Sequence, residues 1–147
     1  MKLLSFLQDV GPDHQGRYLS DIWKFSDQQI EGTHDFIQWV FPLAEPSGAF
    51  PDAPVLEPAE IDLIHKSSPA TMNLERSAQW FLDFLGRSKD WLRPHDHNHL
   101  RITRMIRSQR LLLGELAAES TKQSVLQMAK KAKVPINDVA YEHWRAA

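Results

Sequence analysis

The stretch Thr33-His34-Asp35-Phe36-Ile37-Gln38-Trp39-Val40-Phe41-Pro42 decides how the rest of the chain is read. At 3.6 residues per turn, Ile30, Ile37 and Phe41 fall on one stripe, Val40 and Phe36 widen it, and Trp39 lies nearly opposite. A helix that is apolar on both sides belongs among neighbours, so the pattern predicts a buried central helix that Pro42 cannot extend. Its polar residues His34, Asp35 and Gln38 must then find partners inside the protein or line a cleft. Ser26, with Gln29 three residues later, predicts a capping box that opens this helix at about Asp27. Gly32 inside it costs about 1 kcal/mol against Ala, which a close-packed neighbour would explain.

Working outward, Leu3, Leu4, Phe6, Leu7 and Val10 have helical spacing, and Gly11-Pro12-Asp13 stops them. Leu19, Ile22 and Trp23 share a face of a second segment, Tyr18 to Phe25. Downstream, Pro42, Pro46, Pro51, Pro54 and Pro58 with Gly48 make a rigid, irregular connection that Phe50, Val55 and Leu56 pack down. Pro58 suits a first helical turn, and that helix ends near Lys66. Ser68 opens another, with Leu74, Phe81, Phe84 and Leu85 inward and Gly86 just past its end. After the polar residues 87–97, a long helix from about Asn98 to Leu113 carries Ile102, Met105, Ile106, Leu112 and Leu113, and Gly114 terminates it. Ser120 and Gln123 read as a second capping box, opening a helix that buries Val125, Met128, Ala129 and Ala132. The last helix starts at Asn137 and carries Trp144. No segment alternates with period two. The expectation is an all-α bundle of about seven helices, a single domain over residues 1–147, with no sheet.

The bulk numbers restrict function. Seventeen Lys and Arg against 19 Asp and Glu leave a formal charge of −2, so no strong overall field draws nucleic acid or an anionic membrane. The absence of cysteine excludes disulfides, thiolate metal sites and a cysteine nucleophile. No run reaches the roughly 18 apolar residues of a membrane span, and the expected location is cytoplasmic. No cofactor is expected.

Three clusters merit weighing. His95, His97 and His99 share a face if extended, and His95 with His99 sits one turn apart in a helix, as zinc chelation needs. The glutamate of a helical zinc-protease signature is missing, and Asp96 or Asn98 suits a helix cap equally well. Arg101, Arg104, Arg107 and Arg110 spread over half a helix circumference, so at least one turns towards protein. Arg104, between Leu100 and Leu111, is the best candidate for a buried ion pair or a carboxylate-gripping fork, with Asp35 or Glu31 as natural partners. That pairing would set the central helix against the arginine-bearing helix, with His34, Asp35, Gln38, Trp39, Asn98, Arg101 and Arg104 around a cleft for a peptide or acidic group. The third cluster, Val125 to Trp144, has the rhythm of a helix-turn-helix, but Asp138 and Glu142 beside His143 and Arg145 make a poor surface for phosphates. His34, Asp35 and Gln38 lack a nucleophile at a spacing that specifies catalysis.

Gly16 to Pro46, centred on Thr33 to Leu43, resembles the conserved domain of the opioid growth factor receptor family. His97-Asn98-His99-Leu100-Arg101-Ile102-Thr103-Arg104-Met105-Ile106-Arg107-Ser108 is a second match, and the order and separation of the blocks agree. Animal members are described as nucleus-associated, growth-inhibiting receptors for the pentapeptide met-enkephalin, with long C-terminal regions. This chain ends at Ala147 and is more similar to the short stand-alone versions found in bacteria. The resemblance implies the domain and a non-enzymatic role with a peptide or protein ligand; it carries over no catalytic or contact residues. The alternatives are a metal-dependent enzyme using His95, His97 and His99, and nucleic-acid binding by the last two helices.

Overall fold

Helices account for every regular element in the computed structural model, which describes residues 1–147. In order they are α1 (Lys2–Leu7), α2 (Leu19–Ile22), α3 (Asp27–Gly32), α4 (Ile37–Val40), α5 (Pro58–His65), α6 (Ser68–Arg87), α7 (Asn98–Leu112), α8 (Glu115–Ala132) and α9 (Asp138–Ala146). The chain divides into two compact units, Met1–Ser77 and Ala78–Ala147.

In the first unit α1 packs on α4 and α5. Both ends of α1 are tied down by distant side chains: the buried Glu60 carboxylate accepts from Leu4 N at 3.0 Å, and Asn73 Nδ2 donates to Leu7 O at 2.8 Å. These contacts satisfy backbone groups that a helix end leaves unpaired. The connection between α4 and α5 is irregular, as its prolines dictate, and is pinned by Leu56 N donating to Leu43 O at 2.9 Å. Leu43, Ala53 and Leu56 are buried along it.

The expected central helix is broken. Ser26 and Gln29 do form the capping box that opens α3, but α3 stops at Gly32 and Thr33 is extended at φ −103° and ψ 126°. Helix resumes only at Ile37, as the single turn of α4. Gly32 and the Thr33-His34-Asp35 that follow are weak helix formers, and Asp35 gains charged partners outside the helix that a continuous ladder would forgo. Gly32 therefore serves as a stop: a Cβ there would meet nothing within 4 Å, so no close neighbour requires it. This break accounts for part of the excess of nine helices over the expected seven.

In the second unit α7 packs against both α8 and α9. Gly114, at φ +104°, makes the turn between α7 and α8 in a region that other residues rarely adopt. Because that turn already starts α8 at Glu115, Ser120 and Gln123 lie within the helix and cap nothing. Ser124 Oγ bonds back to Ser120 O at 3.1 Å. Gly86, expected just past a helix end, is the penultimate residue of α6. The end of α9 is closed by cations: Lys122 Nζ donates to Arg145 O at 2.8 Å and Arg110 Nε to Ala147 O at 2.9 Å. Arg110 and then Lys122 also hold the Glu119 carboxyl below its ordinary pKa range.

Candidate functional site

The second unit carries an open groove of about 510 Å³ where the loop before α7 meets the start of α9. Its floor is an interlocked aromatic layer. Trp91 is fully buried and donates from Nε1 to Leu85 O at 2.9 Å. Its own carbonyl faces His99 Nε2 at 2.8 Å, and His99 O in turn accepts from Trp144 Nε1 at 3.1 Å. The His99 and Trp144 rings meet edge to face at 5.5 Å, and Trp91 and Trp144 at 6.3 Å. Every polar edge of this layer thus has a partner, which lets three amphipathic rings sit inside at little desolvation cost.

The walls are equally fixed. Asn137 Oδ1 accepts from Ala140 N at 2.8 Å and caps α9, while its Nδ2 donates to Pro94 O at 2.6 Å. One side chain therefore starts a helix and staples the preceding loop to it. Asp96 does the same at α7. Its fully buried carboxylate accepts from Asn98 N at 2.9 Å and from Arg93 Nε and Nη2 at 3.0 and 2.7 Å. On this frame Leu100 and Val139 face solvent, 69% and 59% exposed, beside the exposed His95, His97 and His143.

The chelating reading of His95, His97 and His99 fails on His99. Its Nε2 faces a carbonyl oxygen and so donates, and its Nδ1 is turned to Asn137 Nδ2 at 3.5 Å, which leaves no ring nitrogen for a metal. No three His, Asp or Glu side chains in the chain are grouped as a metal site would require.

The residues read from the sequence as a cleft fall in both units. Asn98 and Arg101 are brought together and buried, with Arg101 Nη1 donating to Asn98 Oδ1 at 3.3 Å. Among the four arginines of α7 it is Arg101, not Arg104, that is buried; Arg104 is half-buried and engaged within the folded chain. In the first unit His34 is exposed, and Asp35 is held by Arg17 Nη2 at 3.0 Å and lies 3.0 Å from His14 Nε2. Arg17 also reaches Asp13 at 2.7 Å. Burial works to raise the Asp35 pKa, but hydrogen bonds and charge from Arg17, then His14, outweigh it and hold the carboxyl below its ordinary range. Gln38 and Trp39 are buried, and Gln38 Oε1 and Trp39 Nε1 have no partner. The sequence reading had not singled out His14, Arg17, Val139 or Asn137 as contributors to a site.

The geometry defines an all-α chain with a ligand-sized open groove. It belongs to the opioid growth factor receptor conserved-region family: a family model described as "Opioid growth factor receptor (OGFr) conserved region" matches residues 12–90, more than half of the chain. The chain is 31% identical over 132 residues to opioid growth factor receptor-like protein 1 of Mus musculus, covering 76% of this chain and 27% of that protein. It is 33% identical over 125 residues to the opioid growth factor receptor of Rattus norvegicus, covering 71% and 21%. For the opioid growth factor receptor of Homo sapiens the figures are 31% over 125 residues, 71% and 18%. The chain therefore spans about a quarter or less of these relatives. No solved structure matches it. The groove residues, Arg93 to His143, lie beyond the stretch that the family model covers.

Proposed function

We propose that this chain is a non-enzymatic interaction module, acting as a single domain, whose groove docks a peptide or protein segment. One observation carries the reading: two large apolar side chains, Leu100 and Val139, stand exposed in a cavity whose floor and walls are fixed by hydrogen bonds. Exposed apolar surface inside a rigid concave site is where a binding partner gains most from water release. The word "receptor" in the relatives' names supports a ligand-holding role. A peptide-display library selected on the wild-type chain and on a Leu100→Asp, Val139→Asp double variant tests it. Peptides enriched by the first and lost by the second support the groove; identical enrichment, or none, defeats it. Both positions are exposed, so the variant is expected to keep its melting temperature.

A second reading places ligand contacts in the first unit, at Gln38 and Trp39. It is supported by their unpaired buried atoms, which a bound amide would satisfy.

A further inference from the structure

We infer that Trp39, Phe50 and Asp35 form a slot for a small planar nitrogen heterocycle bearing a ring N–H, and that the chain's own His14 imidazole occupies it at rest. The slot lies in the first unit, so it does not depend on what the groove holds, and it shares only Trp39 with the second reading above. The His14 ring runs parallel to the buried Trp39 indole, 8° between planes and 5.9 Å between centroids, and Phe50 packs on the same imidazole at 5.2 Å. Aromatic rings at such offsets attract any flat π system, so these two set the shape of the occupant.

Asp35 sets its chemistry. Against the pull of burial, Arg17 at 3.0 Å and then His14 hold the carboxyl below its ordinary pKa range, so at neutral pH it is ionised and only accepts hydrogen bonds. The 3.0 Å contact between Asp35 Oδ2 and His14 Nε2 is therefore donated by the imidazole. A replacement ring must bring its own N–H to that oxygen; a phenyl ring would leave it short of a donor.

His14 can leave without dismantling its surroundings. The turn that carries it is closed by Asp13, whose Oδ1 accepts from Gln15 N and Arg17 N, both at 2.9 Å, and whose backbone N–H donates to Arg17 O at 2.8 Å. Gly16 supplies the φ of +75° that the turn needs. The His14 ring is 28% exposed and has one hydrogen bond, to Asp35, which keeps Arg17 once the ring is gone. The fraction of time that His14 is out of the slot then scales the apparent affinity of any competitor.

The test uses the full chain at pH 8.5, roughly two units above the ordinary histidine value, where the probes are neutral. Imidazole and 1-methylimidazole, the second without an N–H, are titrated into wild type, His14→Ala, and His14→Ala combined with Asp35→Ala. The Trp39 indole N–H resonance, assigned by its loss in Trp39→Phe, and the melting temperature are followed. His14→Ala is expected to bind imidazole about tenfold more tightly than wild type and to regain part of its lost melting temperature on saturation. It is expected to bind 1-methylimidazole about tenfold more weakly than imidazole, a preference that adding Asp35→Ala erases. His14→Ser carries the same test should His14→Ala not fold. N-acetylhistidinamide, the same ring on a peptide backbone, separates the two sources: binding tighter than imidazole supports a histidine of a partner chain, and weaker binding supports a free heterocycle. A Trp39 resonance that does not move saturably in His14→Ala overturns the slot. Equal affinity for the two probes, or equal imidazole affinity of wild type and His14→Ala, also overturns the inference. The groove stands or falls separately, on the peptides lost with Leu100 and Val139.

Discussion

Histidine and aspartate are used in opposite ways by the two units. In the first, His14, Arg17, Asp13 and Asp35 satisfy one another, and the His14 ring lies parallel to Trp39 at 5.9 Å with Phe50 at 5.2 Å. Those charges are consumed in fixing a loop against α4. In the second, His99 and Asp96 build the floor and wall of the groove, and His95 and His143 stand exposed at its rim. An imidazole built into a wall supports a site, whereas one exposed beside it can touch a ligand.

The comparison is broken hardest from below the groove. Trp144 is fully buried, and its indole both donates to His99 O and packs against Trp91, His99 and Tyr141. Trp144→Ala is expected to cost about 4 kcal/mol in chemical denaturation, from the cavity and the lost floor together. In the first unit, Asp35→Asn removes the anion between Arg17 and His14 and is expected to cost about 2 kcal/mol at pH 7. Its pH dependence has a definite sign. A carboxyl whose folded pKa is depressed stabilises fully above its unfolded value, about 3.9, and loses that stabilisation as pH falls through the folded value. Wild type and Asp35→Asn should therefore converge in stability at strongly acidic pH. A constant gap from pH 7 to pH 2.5 would show that the network is not electrostatic.

This asymmetry was only half legible in the sequence. Periodicity identified the all-α class and most helices, because Ile102, Met105 and Ile106, or Leu74, Phe81 and Phe84, repeat at helical spacing over several turns. It misread residues 33–36 because a helical wheel scores apolar spacing and carries no term for Asp35 finding Arg17, 18 residues away in sequence. Ser120 and Gln123 misled for a related reason: their spacing is that of a capping box, but the break in the chain is at Gly114. His95, His97 and His99 were rightly noticed and wrongly grouped, since backbone carbonyls that claim an imidazole leave no trace in residue type. The groove did have a signal. Leu100 and Val139 are apolar residues off the buried stripes of their helices, and nothing local accounts for them.

A smaller effect, of opposite sign, separates the two readings of where a ligand sits. Gln38 Oε1 is buried with no partner, so an apolar side chain of similar length should remove a desolvation cost without losing a bond. Gln38→Met is expected to stabilise the chain by about 1 kcal/mol and to leave the set of groove-enriched peptides unchanged. If the variant instead abolishes peptide binding while its melting temperature rises, the first unit holds the ligand.

The smallest expected change is at the rim. His143→Ala and His95→Ala remove exposed side chains and should each alter stability by no more than about 0.5 kcal/mol. His99→Ala takes away the group facing Trp91 O and part of the floor, so about 2 kcal/mol is expected by denaturation. The same substitution in the same motif is thus predicted to be silent or severe according to whether the fold has already claimed the ring. If His143→Ala or His95→Ala destabilises as much as His99→Ala, the rim histidines are structural. The docking surface would then narrow to the exposed Leu100 and Val139.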